Sequence, residues 1–555
     1  MAKLCGWNKS SAVFIFCVAT AILSSARTFT SLLSFDGTNG NEPGPISLVQ
    51  GTDGNFYGTT TRGGTNLRGT VFRVTPSGTL TTLYNFCSEA SCADGGDPTA
   101  GLVLATDGTF YGTTSGGGAY DEGTVFNITS AGALTTLYSF CAQTNCTDGS
   151  VPAAALIQAS DGSFYGTTFN GGTGRCTQGC GTVFKITSAG TLTTLHSFDG
   201  PHGADPEAAL VQDTDGSFYG TTPAGGYLGC GGIGCGTVFK IASNGTLTTL
   251  HRFGGGDGSF PTGALVRGND GLFYGVTTYG GSNFCSDGCG TIFTITAEGA
   301  MTTLYSFTGH STDGDEPISG LIQATNGLFY GTTEYGYGTI YKVSTGGKLA
   351  EVFAFDGADG SEPFGGLLQG TDGAFYGTTN AGGTDNDGTV FSLALGLGPF
   401  VGLINNSGIV GQAVGILGQG FTGTNAVSFN GTPASFNINS DTYVTATVPT
   451  GATRGLVAVT MPGGTLTSNQ QFRVTPQVLS FTPTSGPIGT PVTIIGLSLT
   501  QTKGVGFGDH VPASFQVNSD TQVTATVPAG AKTGLVGVET LGGIGISTTT
   551  FTVTQ

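Results

Sequence analysis

An all-β chain is predicted by three observations. Short runs rich in Val, Ile, Thr, Phe and Tyr recur between Gly and Asp-Gly turns, which is the signature of strands. A string reading Phe-Tyr-Gly-Thr-Thr, or one substitution from it, starts at Phe56, Phe110, Phe164, Phe218, Phe273, Phe329 and Phe375. Charged residues make up only 9% of the sequence, too few to give helices a charged solvent face.

The strings are 46 to 56 residues apart, a period too long for a solenoid coil and suited to one small antiparallel sheet per unit. The third unit shows the pattern. Leu156-Ile157-Gln158 comes first, then the turn Asp161-Gly162 and the aromatic string from Phe164. A Gly-Gly loop follows, then Gly181-Thr182-Val183-Phe184-Lys185-Ile186, a Ser/Ala/Gly turn, and Thr191-Leu192-Thr193-Thr194-Leu195-His196-Ser197-Phe198. These are four strands, A to D. A four-stranded meander cannot bury both faces alone, and stacking such sheets around an axis as the blades of a β-propeller solves that without free edges. A D-type strand at residues 28–35 precedes the first A strand, while the last unit stops after its C strand, residues 388–393. The expected fold is therefore a seven-bladed β-propeller over residues 27–396, closed by an N-terminal strand.

The unit Asp-Gly-x-Phe-Tyr-Gly-Thr-Thr, Gly-Gly, Gly-Thr-Val-Phe-Lys-Ile, Leu-Thr-Thr-Leu-Tyr-Ser-Phe resembles the GloVer (Gloeobacter/Verrucomicrobia-type) tandem repeat of bacterial exported proteins. The resemblance covers about two thirds of the chain and implies a secreted or surface β-repeat protein. It brings no catalytic residues to carry over.

After Leu397 a second repeat begins. Val444-Thr445-Ala446-Thr447-Val448-Pro449 matches Val523-Thr524-Ala525-Thr526-Val527-Pro528, and Val427-Ser428-Phe429 matches Val505-Gly506-Phe507. Short alternating strands with Gly and Pro turns predict two immunoglobulin-like β-sandwich domains, over 397–475 and 476–555. The second, opening Phe481-Thr482-Pro483-Thr484-Ser485-Gly486-Pro487, resembles the IPT/TIG domain, which implies a spacer, adhesion or binding module. The first lacks that opening.

Residues 1–26 read as a signal peptide: Lys3 and Lys9 form the basic head, residues 12–23 the apolar stretch, and Ser24-Ser25-Ala26 the cleavage site. The expected location is secreted or cell-surface, with no integral membrane segment in the mature chain. The net charge of −18 repels nucleic acid and anionic lipid. Cys5 and Cys17 lie in the signal segment. The other ten cysteines form five local pairs: Cys87 with Cys92, Cys141 with Cys146, Cys176 with Cys180, Cys230 with Cys235, and Cys285 with Cys289. Their spacing is not that of a zinc knuckle, and no His cluster accompanies them, so they are read as disulfides.

In such a sheet the A–B and C–D turns lie at one end and the B–C and D–A connections at the other. The first set is short and nearly invariant; the second varies in length and carries all five cysteine pairs. A scaffold places recognition on such a face. Its D–A loops are acidic, as in Asp94-Gly95-Gly96-Asp97-Pro98 and Asp313-Gly314-Asp315-Glu316-Pro317. Ca²⁺ is possible there, although no loop has the ligand spacing of known calcium motifs and Asp-Gly is ordinary turn chemistry. No other cofactor and no metal ligand set is predicted.

Catalysis on a repeat scaffold is expected at departures from the pattern. The departures His196, His202, His251, His310, Glu334 and Asp121-Glu122 are scattered and define no acid–base pair or nucleophile, so no catalytic residue is assigned. The expected function is a non-enzymatic recognition or adhesion scaffold whose variable loop face takes a glycan or protein ligand. The alternatives are a propeller enzyme acting on carbohydrate, as hydrolase or lyase, and a purely structural surface or matrix protein. Carboxylates or histidines clustered in the central channel favour the enzyme, and a groove of aromatic loops favours binding.

Overall fold

The computed structural model describes residues 27–44, 47–227, 229–281, 285–309, 313–508 and 511–555. The expected signal segment, with Cys5 and Cys17, and His310 lie outside them.

Among the described residues the chain is all-β, with a few 3₁₀ turns. Seven four-stranded antiparallel sheets follow one another from residue 28 to residue 394. The first consists of A (Val49–Gln50), B (Phe56–Thr60), C (Thr70–Val74) and D (Leu80–Asn85), paired in that order. A bulge between C and D recurs at the same place, as between Val71 and Phe72, and twists the outer edge. In the last sheet the D position is filled by the N-terminal strand Thr28–Ser34, antiparallel to Thr389–Ala394 with Thr28 opposite Ala394.

Every letter of the Phe-Tyr-Gly-Thr-Thr string has a structural use. The Tyr ring of each unit stacks on the Phe ring of the next, Tyr57 on Phe110 through to Tyr330 on Phe375. Phe56 of the first sheet then stacks on Tyr376 of the seventh, so seven stacks with centroids 3.9 to 4.5 Å apart join the sheets into a ring. The Gly admits the neighbouring C-strand ring: a Cβ on Gly58 would stand 2.7 Å from Phe72 Cζ. The first Thr generally bonds forward to the next sheet, as Thr59 Oγ1 donates to the Ala100 carbonyl at 3.0 Å and Thr378 Oγ1 to the Pro43 carbonyl at 3.5 Å. The second Thr pairs with the first Thr of strand C, Oγ1 to Oγ1, at 2.7 to 2.9 Å in all seven units. These hydroxyls are buried, and pairing them avoids the penalty of leaving them unsatisfied.

The Asp of the A–B turn caps the string from below. In five units its carboxylate accepts the hydroxyl of the B-strand Tyr, as in Asp53 with Tyr57 at 2.9 Å and Asp372 with Tyr376 at 2.7 Å; in the sixth Asn326 donates to Tyr330 at 2.9 Å, and in the fourth Asp215 accepts from Lys240 Nζ at 2.6 Å instead. These recurring acids hold a turn and a hydroxyl.

Beyond the ring are two modules, each of two packed sheets. In the first, Gly402–Leu403, Ala413–Leu417, Tyr443–Thr447 and Phe436–Ile438 face Thr432–Ala434, Ala426–Phe429, Val457–Met461 and Gly464–Thr467. One apolar core, including Val414, Ile416, Phe429, Val444 and Phe472, fills it. The second repeats the plan over residues 477–553 around Val492, Ile494, Phe507, Val523 and Phe551.

Candidate functional site: the axial cavity and the variable face

A cavity of about 1100 Å³ occupies the middle of the ring. Its wall is made by the A strands and the residues leading into them, which alternate in direction as strands require. One set, including Leu48, Leu102, Leu156 and Leu210, is buried between sheets. The other set faces the axis in layers. Nearest the variable face stand Thr99, Ala153, Glu207, Thr262, Ile318 and Phe364. Below them the residues are small: Ser47, Gly101, Ala155, Ala209, Ala264, Gly320 and Gly366. The inner strands crowd here, since a Cβ on Gly101 would stand 2.7 Å from the Ser47 carbonyl oxygen, and these short side chains leave the cavity its width. The lowest layer is aliphatic, with Val49, Val103, Val266, Ile322 and Leu368.

The first two-sheet module seals that lower end. Phe400, Leu403, Ile404 and Leu417 line the floor, and the Phe400 amide donates to the Thr371 carbonyl at 3.0 Å. Thr442 Oγ1 donates to the Thr52 carbonyl at 2.7 Å. The other end is lined by Ser115, Phe169, Thr278 and Tyr279, which follow B strands and belong to the variable face.

Glu207 is the one charged residue among the described residues of the wall. Its carboxylate has no hydrogen-bond or ion-pair partner among the described residues, and burial, with a smaller contribution from Asp205, pushes its pKa up to about 7.

The variable face is tied down by the loops themselves. Among the described residues, six of the seven D–A loops form a bridge with the segment after the next B strand, as Gly96 with Gly116 and Ser259 with Tyr279. Asp94 accepts from Tyr84 Oη at 2.8 Å and from the Ser88 amide at 2.9 Å; Asp148 accepts from Tyr138 Oη at 2.7 Å and from the Ala142 amide at 2.9 Å. These loop carboxylates are thus engaged in their own turns. Among the described residues no group of three His, Cys, Asp or Glu side chains is arranged to hold a metal ion. Disulfides join Cys87–Cys92 and Cys141–Cys146 in D–A loops, and Cys176–Cys180, Cys230–Cys235 and Cys285–Cys289 in B–C loops. Exposed Tyr120, Tyr227, Tyr335 and Tyr337 stand on the B–C loops of this face.

Each disulfide closes a very short loop, so each stabilises by about 2 kcal/mol on the chain-entropy scale. Reduction is expected to raise amide hydrogen exchange in residues 87–95, 141–149, 176–181, 230–236 and 285–290 while the B strands stay protected. Exchange monitored by mass spectrometry before and after reduction reads this out.

An acidic group lies on the face near Tyr279. Burial, then Glu316, Glu362 and Asp315, push Glu334 up to about 7, and burial, then Glu316 and Asp313, push Asp315 up to about 6. Between pH about 4 and 7 the folded state therefore keeps protons that the unfolded chain has released. The stabilisation is complete at the acid end and is lost as pH rises through 6 to 7. Urea unfolding at pH 5 and 7.5 is expected to show this decline, and Glu334→Gln to make it smaller.

The departures singled out in the sequence do not converge. His251 Nε2 pairs with Asp257 at 2.8 Å and stands edge-on to Phe253. His196 stands edge-on to Phe198, and burial lowers its pKa. His202 Nδ1 pairs with Asp199 at 2.8 Å, and Asp121 accepts from the Gly117 amide at 3.1 Å. None of them lines the cavity.

At the sealed end, Arg267 Nε meets Asp213 Oδ1 at 2.6 Å, and both side chains are largely buried. Arg473, 9% exposed, donates to Asn406 Oδ1 at 3.1 Å; burial first, then Arg267 and Arg454, bring its pKa down to about 10, while Asp213 opposes them. Arg454 is also partly buried there, and its amide donates to Gln501 Oε1 of the second module at 3.0 Å. Ring and both modules meet at this junction.

A family model described as the Gloeobacter/Verrucomicrobia repeat matches residues 14–173, 141–337 and 287–432. The chain belongs to this repeat family. No curated protein matches it. Among solved structures it is similar to a fungal alcohol oxidase of the AA5 family, in complex with copper, at 12% identity, covering 95% of this chain and 99% of that one with a TM-score of 0.42. It is also similar to a gluconolactonase from Xanthomonas campestris at 12% identity, 53% and 84% coverage and a TM-score of 0.32. A surface glycan-binding protein from Prevotella bryantii matches at 17% identity, 28% and 38% coverage and a TM-score of 0.21. Likenesses this distant say nothing about activity.

Within the Gloeobacter/Verrucomicrobia repeat, two departures acquire a site only through the fold. Glu207 follows Pro206 where other units carry Thr99, Ala153, Thr262, Ile318 or Phe364 after their Pro. Arg267 stands where Gln50, Gln158, Gln212, Gln323 and Gln369 stand in other units. Those Gln side chains mostly bridge neighbouring sheets, as Gln158 Oε1 accepts from the Thr106 amide at 2.9 Å, whereas Arg267 pairs with Asp213. Aligning the units exposes both departures, but their sequence does not say that one faces a cavity and the other a domain junction.

Proposed function

We propose that the chain is an exported recognition protein that holds a small ligand in the axial cavity of its ring. In this reading the seven sheets are the blades of a β-propeller closed by the N-terminal strand, and the two C-terminal modules are immunoglobulin-like sandwiches of the IPT/TIG kind. The observation that carries the function is the cavity itself: about 1100 Å³, walled by small and aliphatic side chains, floored by the first module and lined at its other end by residues of the variable face. Pockets that hold small molecules have this concave, largely apolar build with a few placed polar groups. The five disulfides support an oxidising, extracytoplasmic setting. Among the described residues no helix is long and apolar enough to cross a membrane. The exposed tyrosines and bridged loops around the entrance suit a recognition rim for a glycan or another protein.

The test is a binding screen of the chain from residue 27, against soluble oligosaccharides and small amphiphiles, with and without Ca²⁺, repeated on Ala155→Trp to fill the cavity. Ligands that raise the melting temperature of the wild type and lose their effect in the variant are expected. An empty screen, or hits indifferent to Ala155→Trp, refutes cavity binding.

A further inference from the structure

We propose that the axial cavity selects an amphiphilic amine, a compact apolar body carrying one protonated nitrogen that seats on the Glu207 carboxylate. This rests on the reading of the cavity as the binding site and adds the chemical class of its ligand.

The position of Glu207 is the first reason. It stands in the layer of the wall nearest the variable face, where the flanking inner strands contribute Ala153 and Thr262. Below it lie the small-residue layer and the aliphatic floor of Val103, Ile322, Leu403 and Ile404. Among the described residues the wall therefore offers one carboxylate at one height and apolar surface beneath it. A ligand complementary to this has a polar head and an apolar body, and its head must satisfy a carboxylate that has no partner among the described residues.

The second reason is the sign of the surrounding charge. The chain carries −18, and Asp315, Glu316 and Glu334 interact with one another beside Tyr279, whose hydroxyl is held back from ionising by burial first and then by Glu316, Glu334 and Asp287. A potential of this sign at the entrance concentrates cations and repels anions. A carboxylate partner that is also cationic is an ammonium group.

The third reason is energetic. Burial, aided by Asp205, disfavours the ionised form of Glu207, and Asp205 is the other charged group that acts on it. A cation at hydrogen-bond distance reverses that balance, so binding the amine ionises the carboxyl and the proton leaves to solvent. Aliphatic amines stay protonated throughout the range in which Glu207 titrates. Affinity is therefore expected to rise with pH between 5.5 and 7.5, with proton release on binding.

The probes are 2-(1-naphthyl)ethylamine and the matched alcohol 2-(1-naphthyl)ethanol, followed by naphthyl fluorescence and calorimetry on the chain from residue 27. Wild type is expected to prefer the amine about tenfold at pH 7.5, equal to about 1.4 kcal/mol, with the preference shrinking severalfold at pH 5.5. Glu207→Gln, a neutral isostere, is expected to abolish both the preference and its pH dependence, and Ala155→Trp to abolish binding of both probes. Equal binding of amine and alcohol by the wild type, or a preference that survives in Glu207→Gln, overturns the amine assignment while cavity binding stands. If neither probe binds at any pH, the amine assignment falls, and the wider screen decides whether cavity binding falls with it. Should Glu207→Gln fold poorly, the pH profile and proton release of the wild type decide the matter.

Discussion

Deleting residues 27–35 is expected to open the ring. The strand Thr28–Ser34 supplies the outer edge of the last sheet, and without it the whole length of Thr389–Ala394 presents unpaired amides and carbonyls. Phe29 leaves at the same time. Its ring is stacked on Phe353 at 4.0 Å and lies within 5.7 Å of Phe355 and 5.4 Å of Phe391, so its loss uncovers an aromatic cluster between the sixth and seventh sheets. Removing a fully buried Phe side chain costs about 3 kcal/mol or more, and the partly buried Phe29 contributes a share of that; a bare edge next to exposed rings is a template for association. The truncated chain is expected to lose tens of degrees of thermal stability or to elute as soluble aggregates on size-exclusion chromatography with light scattering. Phe29→Ala is the milder control, expected to lower stability while keeping the chain monodisperse. A truncated chain that remains monodisperse with an unchanged melting temperature shows that the ring does not depend on this strand.

Asp213→Ala is expected to be the most damaging single substitution outside the ring's aromatic stacks. Asp213 faces three guanidinium groups, from Arg267 of the ring and from Arg454 and Arg473 of the first module. Taking away the acid leaves buried positive charges facing one another. Breaking a buried pair in this way costs about 3 to 5 kcal/mol. The loss should fall on the contact between ring and modules, so the variant is expected to show protease cleavage near residue 398 and an earlier, separate unfolding transition in calorimetry. Asp213→Asn keeps the shape and is expected to give a smaller effect of the same kind, while Asp213→Ala with Arg267→Gln, the residue of the other units, should recover part of the loss.

Much of the architecture was legible in the sequence because it is local or periodic. The four strands of each unit follow from β-branched and aromatic runs between Gly turns, and the offset of residues 28–35 against the last unit pointed to their partner. The five cysteine pairs were legible because each is local. The use of the string was not. That Tyr57 stacks on the Phe of the next unit, and that Thr59 bonds forward to Ala100, depends on how sheets lie against each other. The site was less legible still. Glu207 reads as one loop carboxylate among many until the alternation of the inner strand turns it toward the axis, and the described histidines among the departures, His196, His202 and His251, are held in ring contacts and by nearby Asp side chains. Nothing in the second repeat announces that Leu403 and Ile404 form the floor of a cavity belonging to the first.

The pairing of Thr28–Ser34 with Thr389–Ala394 also sets an order of events. Thr28 waits for Ala394, so the strand made first is the last to find its place. Closing a chain segment of this length carries an entropy of order 5 kcal/mol, and no part of it is offset until the intervening sheets have formed and brought the two ends near each other. Six sheets can assemble from neighbouring strands as the chain appears; the seventh cannot. A chain that is released whole before it folds has both ends present from the start, and for this topology that removes the wait which folding during synthesis in one direction would impose.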